Sequence, residues 1–423
     1  MLPRSPKPIK TLAPTTLPSS LIPDCSNRPG DDPIFALNAL ANARVQAGED
    51  ILNATLGALV TADGVLAVLP SVEEAYRRIP FVQASCYAPI SGPPAFVGAI
   101  IRDLFGDSEY ARQAVGVSTP GGTGAVHHAI VNTLEPGQNL LTSSYYWGPY
   151  AILANHTRRG VSTFRMFDEG GRFDVQSYAD GLNEMMSEQG RALVILNTPC
   201  HNPTGYTLDD EEWGQIVEIT EQAASLGPVS FLLDFAYEKF APPGQSIWRN
   251  HIERLSASVG VFIAWTASKS FAQYGARIGA LIALHPDDEQ RSRLANALGY
   301  SCRGTWSNCN THGMLAVAEV LSDPELCASS EEERRGLVSL LDDRVTIFNE
   351  HARPAGLKYP RYEGGFFVTV FTPDEARTAE SMREDGVFVV PLPGAVRVAL
   401  CATPKVKVPR LVESLVKGIE AAH

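Results

Sequence analysis

The sequence predicts an α/β protein with a mostly parallel sheet, joined to a smaller α+β part toward its C-terminus. Three observations carry this reading. Short apolar runs alternate with helical stretches from about residue 26 almost to the end; the runs are rich in β-branched residues and lack a polar/apolar alternation; and the composition is that of an ordinary globular chain. Of the 423 residues, 44% are hydrophobic and 19% charged, so core size is not limiting and a disordered or fibrous class does not fit.

Residues 139–144 (NLLTSS), 192–197 (ALVILN), 230–236 (SFLLDFA), 261–268 (VFIAWTAS) and 279–284 (GALIAL) read as strands covered on both faces, which is why each is a near-continuous apolar run. Between them, 123–134 and 208–226 read as crossover helices, the second opening with acids as a helix N-terminus favours. Around 320–335 the pattern turns to that of a long charged helix, followed by short strands at 366–371 and 396–400. The chain therefore reads as an N-terminal arm (1–30), a large domain and a C-terminal small domain from about 321 to 423.

A formal net charge of −12 argues against a general nucleic-acid surface, because phosphate binding needs a basic field. Anionic small substrates would then need local arginines. The seven cysteines are scattered and odd in number, which does not describe a disulfide framework. Cys302 and Cys309 lack the paired spacing and histidine partner of a metal site, so no metal is expected. No apolar run approaches the ~18 residues of a membrane span, and the first twenty residues lack the apolar core of a secretion signal. A cytoplasmic protein is expected. Its basic start reads as an arm, with a transit peptide as the competing reading that its prolines disfavour.

Four segments carry candidate chemistry. In SFLLDFAYEKF, Asp234 and Tyr237 fall just past an apolar strand, where open α/β sheets place their ligand crevice; Asp234 reads equally as a helix-capping loop acid. In VFIAWTASKSFAQYGARIG, Lys269 stands at another strand end with Arg277 eight residues later. A lysine there is either a solvated loop residue or, if burial lowers its pKa, a nucleophile toward a carbonyl. In STPGGTGAVHHAI, Gly121, Gly122 and Gly124 lead into a helix starting near Thr123, a turn that suits either an anion cradle or plain chain reversal. In NTPCHNPTGYTL, Pro203 and Gly205 fix a turn from which Asn202 projects its amide.

In this order and spacing, and together with DDPIFALNALANA, ILNATLGALVTADG, YAPISGPPAF, SSYYWG, CRGTWSNCNTHG and VRVAL, these segments resemble the class I aminotransferases, specifically the aspartate/aromatic branch of the fold-type I pyridoxal-phosphate enzymes. The resemblance runs from about Asp32 to about Pro404. It implies a large domain built on a seven-stranded, mostly parallel sheet between helices, pyridoxal 5'-phosphate as cofactor, and a homodimer with shared active sites. Lys269 would bond the cofactor as a Schiff base and move the substrate's α-proton. Asp234 would keep the pyridine nitrogen protonated. Tyr237 and Asn202 would hydrogen-bond the 3'-oxygen, Trp147 would stack on the ring, and Gly122, Thr123, Thr266, Ser268 and Arg277 would hold the phosphate, with Tyr87 reaching it from the neighbouring subunit.

On the substrate side, the resemblance implies that Arg397 grips the α-carboxylate, that the backbone at Gly57 approaches the substrate, and that Arg303 reads a side-chain carboxylate across the dimer interface. Three departures bear on this. Tyr150 stands where the aspartate enzymes carry a histidine that supports the ring-nitrogen carboxylate, Thr266 replaces a serine, and family prolines are replaced around Cys309 and Asn310. The expected activity is ping-pong transfer of an amino group between an acidic or aromatic L-amino acid and a 2-oxo acid such as 2-oxoglutarate. Elimination, replacement or carbon–carbon bond formation on the same cofactor is the alternative. A regulatory protein on the same scaffold finds little support, because no basic helix-turn-helix precedes residue 30.

Overall fold

The computed structural model describes residues 19–30, 32–242 and 244–423, so most of the predicted arm lies outside the described residues. Among the described residues there are twelve strands: β1 (Leu52–Asn53), β2 (Ala114–Thr119), β3 (Asn139–Ser143), β4 (Gly160–Phe164), β5 (Ala192–Asn197), β6 (Val229–Asp234), β7 (Gly260–Thr266), β8 (Gly279–Leu284), β9 (Phe367–Phe371), β10 (Val387–Phe388), β11 (Val390–Leu392) and β12 (Ala395–Ala399). Seven form one sheet in the order β2-β8-β7-β6-β5-β3-β4. Within it β8 runs antiparallel to both neighbours and every other pairing is parallel. The mostly parallel sheet expected from the sequence is thus present, with one reversed strand.

The apolar runs are continuous because each strand is covered on both faces. In β5, Val194 and Leu196 enter one core while Leu193 and Ile195 enter the other; Phe231 and Leu233 of β6 oppose Leu232 in the same way. Helices 175–189, 210–224 and 248–258 supply the first layer, with Leu182, Ile216 and Leu255 buried in it. The helix Gly121–Thr133 supplies much of the second through Ala125, Val126, Ala129 and Ile130. At roughly 1.5–3 kcal/mol for each fully buried aliphatic side chain, this double cover is what fixes the sheet as a rigid platform.

The remaining strands make a parallel pair, β1-β10, and an antiparallel sheet, β11-β12-β9. A separate core of Val368, Val370, Val396, Val398, Leu411 and Leu415 lies here. The long helix Pro324–Ala352 links the two cores: Leu326 near its start packs in the first, while Val345 and Phe348 pack in the second. Asp323 caps its N-terminus, accepting from the backbone of Glu325 and Leu326.

Element boundaries differ from the sequence reading in places. The strand read at 230–236 ends at Asp234, and that read at 261–268 ends at Thr266 because Thr266 caps a short helix, Ala267–Ser270. The helix read as starting near Thr123 starts at Gly121. β2 and β4 were not anticipated, since β2 is only half-buried along its first three residues and β4 is a sheet edge with one buried side chain.

Candidate active site

The last residues of β5, β6 and β7 are Asn197, Asp234 and Thr266, and all three line one cleft at the carboxyl ends of the strands. Gly122, Thr123, Trp147, Asn202, Tyr237, Ser268, Lys269 and Arg277 complete most of its lining. The cleft measures about 530 Å³ including its mouth, within the size range of small-ligand sites. Ten residues singled out from the sequence therefore converge, although they are spread over more than 150 positions of the chain.

Asp234 is buried, with each carboxylate oxygen held: Oδ2 accepts from the Tyr150 hydroxyl at 2.6 Å, and Oδ1 accepts from the Ala236 N–H at 3.1 Å. Burial pushes its pKa up, against the Tyr150 hydrogen bond, the Lys269 charge and the Ala236 N–H, which pull it down. Asn197 anchors the neighbouring backbone, donating to the Asp234 carbonyl at 2.8 Å and accepting from the Asn202 N–H at 2.7 Å.

Lys269 stands on the short helix after β7, partly exposed at the cleft floor. Its Nζ lies 5.3 Å from the centroid of the Tyr237 ring and has no hydrogen-bond or ion-pair partner among the described residues. Desolvation brings the amine down to about 8; the Asp234 charge opposes that shift and Arg277 reinforces it. An amine near neutrality, unbonded and facing a cleft, is equipped to attack a carbonyl. Beside it, burial raises the Tyr237 phenol, whose oxygen lies 3.3 Å from the Asn202 amide nitrogen.

The far side of the cleft is an anion cradle. Arg277 reaches Thr123 Oγ1 at 3.3 Å and Ser268 Oγ at 3.5 Å, while Thr266 Oγ1 and Ser268 Oγ are 2.9 Å apart. Two helix N-termini open here, and Arg277 has no ion-pair partner among the described residues. A guanidinium, three hydroxyls and bare N–H groups without a balancing carboxylate fit a phosphate. The backbone makes the room: Gly121 adopts φ +71°, and a Cβ there would come within 2.6 Å of Arg277 Nη2.

Arg397 is 5% exposed on β12, outside this lining but joined to it. Its Nη2 donates to the Thr55 carbonyl at 2.6 Å, its Nη1 lies 3.4 Å from Asn202 Oδ1, and its guanidinium sits 4.4 Å from the Phe367 ring centroid. Its Nε has no partner, and no carboxylate lies within ion-pair distance among the described residues. Gly57 packs against the edge of Phe367 with no space for a Cβ.

Two of the predicted residues lie away from the cleft. Tyr87 is 95% exposed, and Arg303 is exposed with Nη1 donating to Ser307 Oγ at 2.6 Å. Asn197, Ala236, Thr55 and Phe367 belong to the site or its border and were not picked out from the sequence. Asn197 had a signal, as the first polar residue ending a wholly apolar run; Thr55 and Phe367 had none.

Residues 51–415 match the family described as aminotransferase class I and II. An aspartate aminotransferase of Pseudomonas aeruginosa is 29% identical over 85% of this chain and 90% of its own length. The solved aminotransferase of Anaerococcus prevotii superposes with a TM-score of 0.90 at 30% identity, covering 95% of this chain and 99% of that one. An aromatic-amino-acid aminotransferase from Burkholderia pseudomallei, solved covalently bound to pyridoxal phosphate, gives a TM-score of 0.79 at 25% identity over 93% and 98%. With that match spanning most of its length, the chain belongs to the class I and II aminotransferases, enzymes that move amino groups with pyridoxal 5'-phosphate.

Proposed function

We propose that the chain exchanges amino groups between an acidic or aromatic L-amino acid and a 2-oxo acid such as 2-oxoglutarate, by ping-pong turnover, as a cytoplasmic homodimer. The observation that carries this is the unbonded amine of Lys269 sharing one cleft with a buried carboxylate on one side and an uncompensated anion cradle on the other. Those three features suit an aldehyde, a ring nitrogen and a phosphate carried on one planar molecule. Among the described residues no helix is long and apolar enough to cross a membrane.

Pyridoxal 5'-phosphate, when bound, supplies the aldehyde that captures an amino group and a ring that accepts electrons from the substrate's α-carbon. Thr123, Thr266, Ser268, Arg277 and the N–H groups at Gly122 would hold its phosphate, Trp147 would cover its ring, and Asn202 with Tyr237 would hold its 3'-oxygen. Asp234 keeps a proton on the ring nitrogen. Lys269 would hold the cofactor's aldehyde carbon until an incoming amino group takes over that bond, and its freed amine would then be the base that takes the proton from the substrate α-carbon. Arg397, buried and without an ionic partner among the described residues, binds the substrate α-carboxylate, with the backbone near Gly57 on the same side. Tyr87 and Arg303, both exposed, are read as serving a second copy's site. Residues 31–65 and 321–423 would form the small domain, and 66–320 the large one.

Lys269→Ala tests the reading: loss of the visible absorbance of the bound cofactor and of turnover is expected, and normal turnover would defeat it. Incubation of the purified wild type with glutamate should produce the amine form of the cofactor. Failure with every common amino acid would favour elimination or replacement chemistry instead.

A further inference from the structure

His128 is wholly buried on the helix Gly121–Thr133, yet among the described residues its Nε2 has no hydrogen-bond partner and its Nδ1 meets only the Nδ1 of His127, 3.3 Å away. An aliphatic side chain would fill this place without leaving a buried nitrogen unpaired, so burial alone does not account for the ring. What the ring offers is a face. Trp306 lies flat against it, with centroids 4.1 Å apart and planes 17° from parallel, and the indole Nε1 is itself buried and unpartnered among the described residues. Burial, and after it the neighbouring His127, brings the His128 pKa down to about 3, so the stack is one of neutral rings throughout the working range.

The indole belongs to the turn after the helix Asp288–Gly304, whose last turn carries Arg303. Ser307 in that turn adopts φ +62°, a left-handed backbone that costs energy in any residue with a side chain and persists only where its neighbours over-determine it. Its N–H donates to the Cys302 carbonyl at 2.9 Å, and its Oγ accepts from Arg303 Nη1 at 2.6 Å. The helix of His128 grips this segment at a second point: Asn132, one turn on, donates through Nδ2 to Ser301 Oγ at 2.9 Å and accepts from that hydroxyl at 3.1 Å. Arg303 stands between the two anchors, Ser301 and Trp306.

We infer that His128 is a positioning residue for the side-chain end of the substrate: its ring is the seat of Trp306, and that seat holds the turn from Cys302 to Asn308 in the shape that aims Arg303 at an acidic side chain in a second copy's site. The inference rests on the reading of Arg303 given above. Neither ring nitrogen ties the turn down, so the flat contact itself supplies the hold, as paired aromatic faces do.

In His128→Ala, KM for aspartate and glutamate should rise about threefold to tenfold, the range a lost ring stack gives, with kcat, cofactor affinity and KM for phenylalanine changing far less. His128→Phe returns a flat ring and should restore both acidic KM values. His128→Leu fills the space without a ring, should match the alanine variant, and supplies the measurement if that variant does not fold. In an Arg303→Ala background, His128→Ala should add nothing on acidic donors, because one residue acting through another is non-additive with it. A KM rise shared by phenylalanine, or one that persists without Arg303, would mark a general packing defect and overturn the inference. If Arg303→Ala raises KM for acidic donors while His128→Ala and His128→Leu do not, the inference alone falls; if Arg303→Ala leaves them unchanged, the reading of Arg303 falls with it.

Discussion

Arg397 Nη1 lies 3.4 Å from Asn202 Oδ1, and the same asparagine's amide nitrogen lies 3.3 Å from Tyr237 Oη, so Asn202 links the small sheet to the cleft of the large sheet. Arg397 is buried, has an unpartnered Nε and faces no carboxylate within ion-pair distance among the described residues. Burial of such a cation is costly, and its pKa is pulled down accordingly.

A substrate carboxylate would supply the missing partner. Truncating one side of a buried charge pair costs roughly 2–5 kcal/mol, so Arg397→Ala should lower kcat/KM by about 30-fold or more. The loss should be similar for every amino donor, because the α-carboxylate is common to all. Arg397→Lys should recover little, since an ammonium cannot reproduce two parallel bonds. Steady-state kinetics over a donor panel checks this; a loss confined to acidic donors would move Arg397 to the side-chain end of the substrate.

The lowered pKa of Lys269 has a direct readout in the cofactor-free protein. Only the neutral amine reacts with an aldehyde, and its fraction rises as pH increases through about 8, whereas an ordinary lysine needs pH near its usual value of about 10.4. Reductive methylation with labelled formaldehyde, followed at Lys269 by mass spectrometry, should therefore show a rate midpoint near 8. Asp234 raises this pKa through its charge, so Asp234→Asn should move the midpoint lower. A midpoint at the ordinary lysine value would contradict the burial argument.

The residues that were legible in the sequence are those whose signal is local. β5, β6 and β8 announce themselves because burial on both faces demands six consecutive residues of mostly apolar type. β4 does not, since GVSTF at a sheet edge buries only Phe164. The reversal of β8 was invisible for a different reason: periodicity reports which faces are covered and carries no direction. In the site, Lys269, Asp234 and the Gly121–Thr123 turn were found through the order of their segments. The Tyr150–Asp234 bond joins residues 84 apart; it is legible only through the resemblance, which sets Tyr150 at the position of a supporting histidine, and not from either segment alone. Thr55 supports Arg397 through a backbone carbonyl, a role open to any residue type, and Phe367 through a ring face that any aromatic residue in a buried strand could offer.

Gly121 tests the anion cradle through the backbone. It holds φ +71° at the start of the helix Gly121–Thr133, and a Cβ would stand 2.6 Å from Arg277 Nη2. Gly121→Ala therefore combines a left-handed backbone for a non-glycine residue, a strain of roughly 1–3 kcal/mol, with displacement of the guanidinium. A modest drop in Tm and a cofactor dissociation constant raised about tenfold or more are expected. Equilibrium dialysis with pyridoxal 5'-phosphate and thermal unfolding of the cofactor-free protein separate the two effects; unchanged cofactor affinity would remove Arg277 from the phosphate site.

Asn308 holds two distant surface segments together, and this makes Tyr87 and Arg303 a coupled pair. Its Oδ1 accepts from the Ala88 N–H at 3.2 Å and its Nδ2 donates to the Ala88 carbonyl at 2.6 Å, so both bonds fall on the residue after Tyr87. On its other side, Ser307 accepts from Arg303, and Trp306 stacks on His128 at 4.1 Å, tying the loop to the helix whose first turn carries Thr123. If Tyr87 reaches a second copy's phosphate and Arg303 a second copy's substrate, loosening this clamp should impair both at once. Asn308→Ala is expected to raise KM for aspartate and glutamate several-fold and to weaken cofactor retention, with little change for donors that lack an acidic side chain. Arg303→Ala should share the first effect and lack the second, because it leaves the Ala88 bonds intact. Measured side by side on the same protein preparation, identical profiles for the two variants would show that Asn308 acts only on Arg303 and that the Tyr87 segment is held by other contacts.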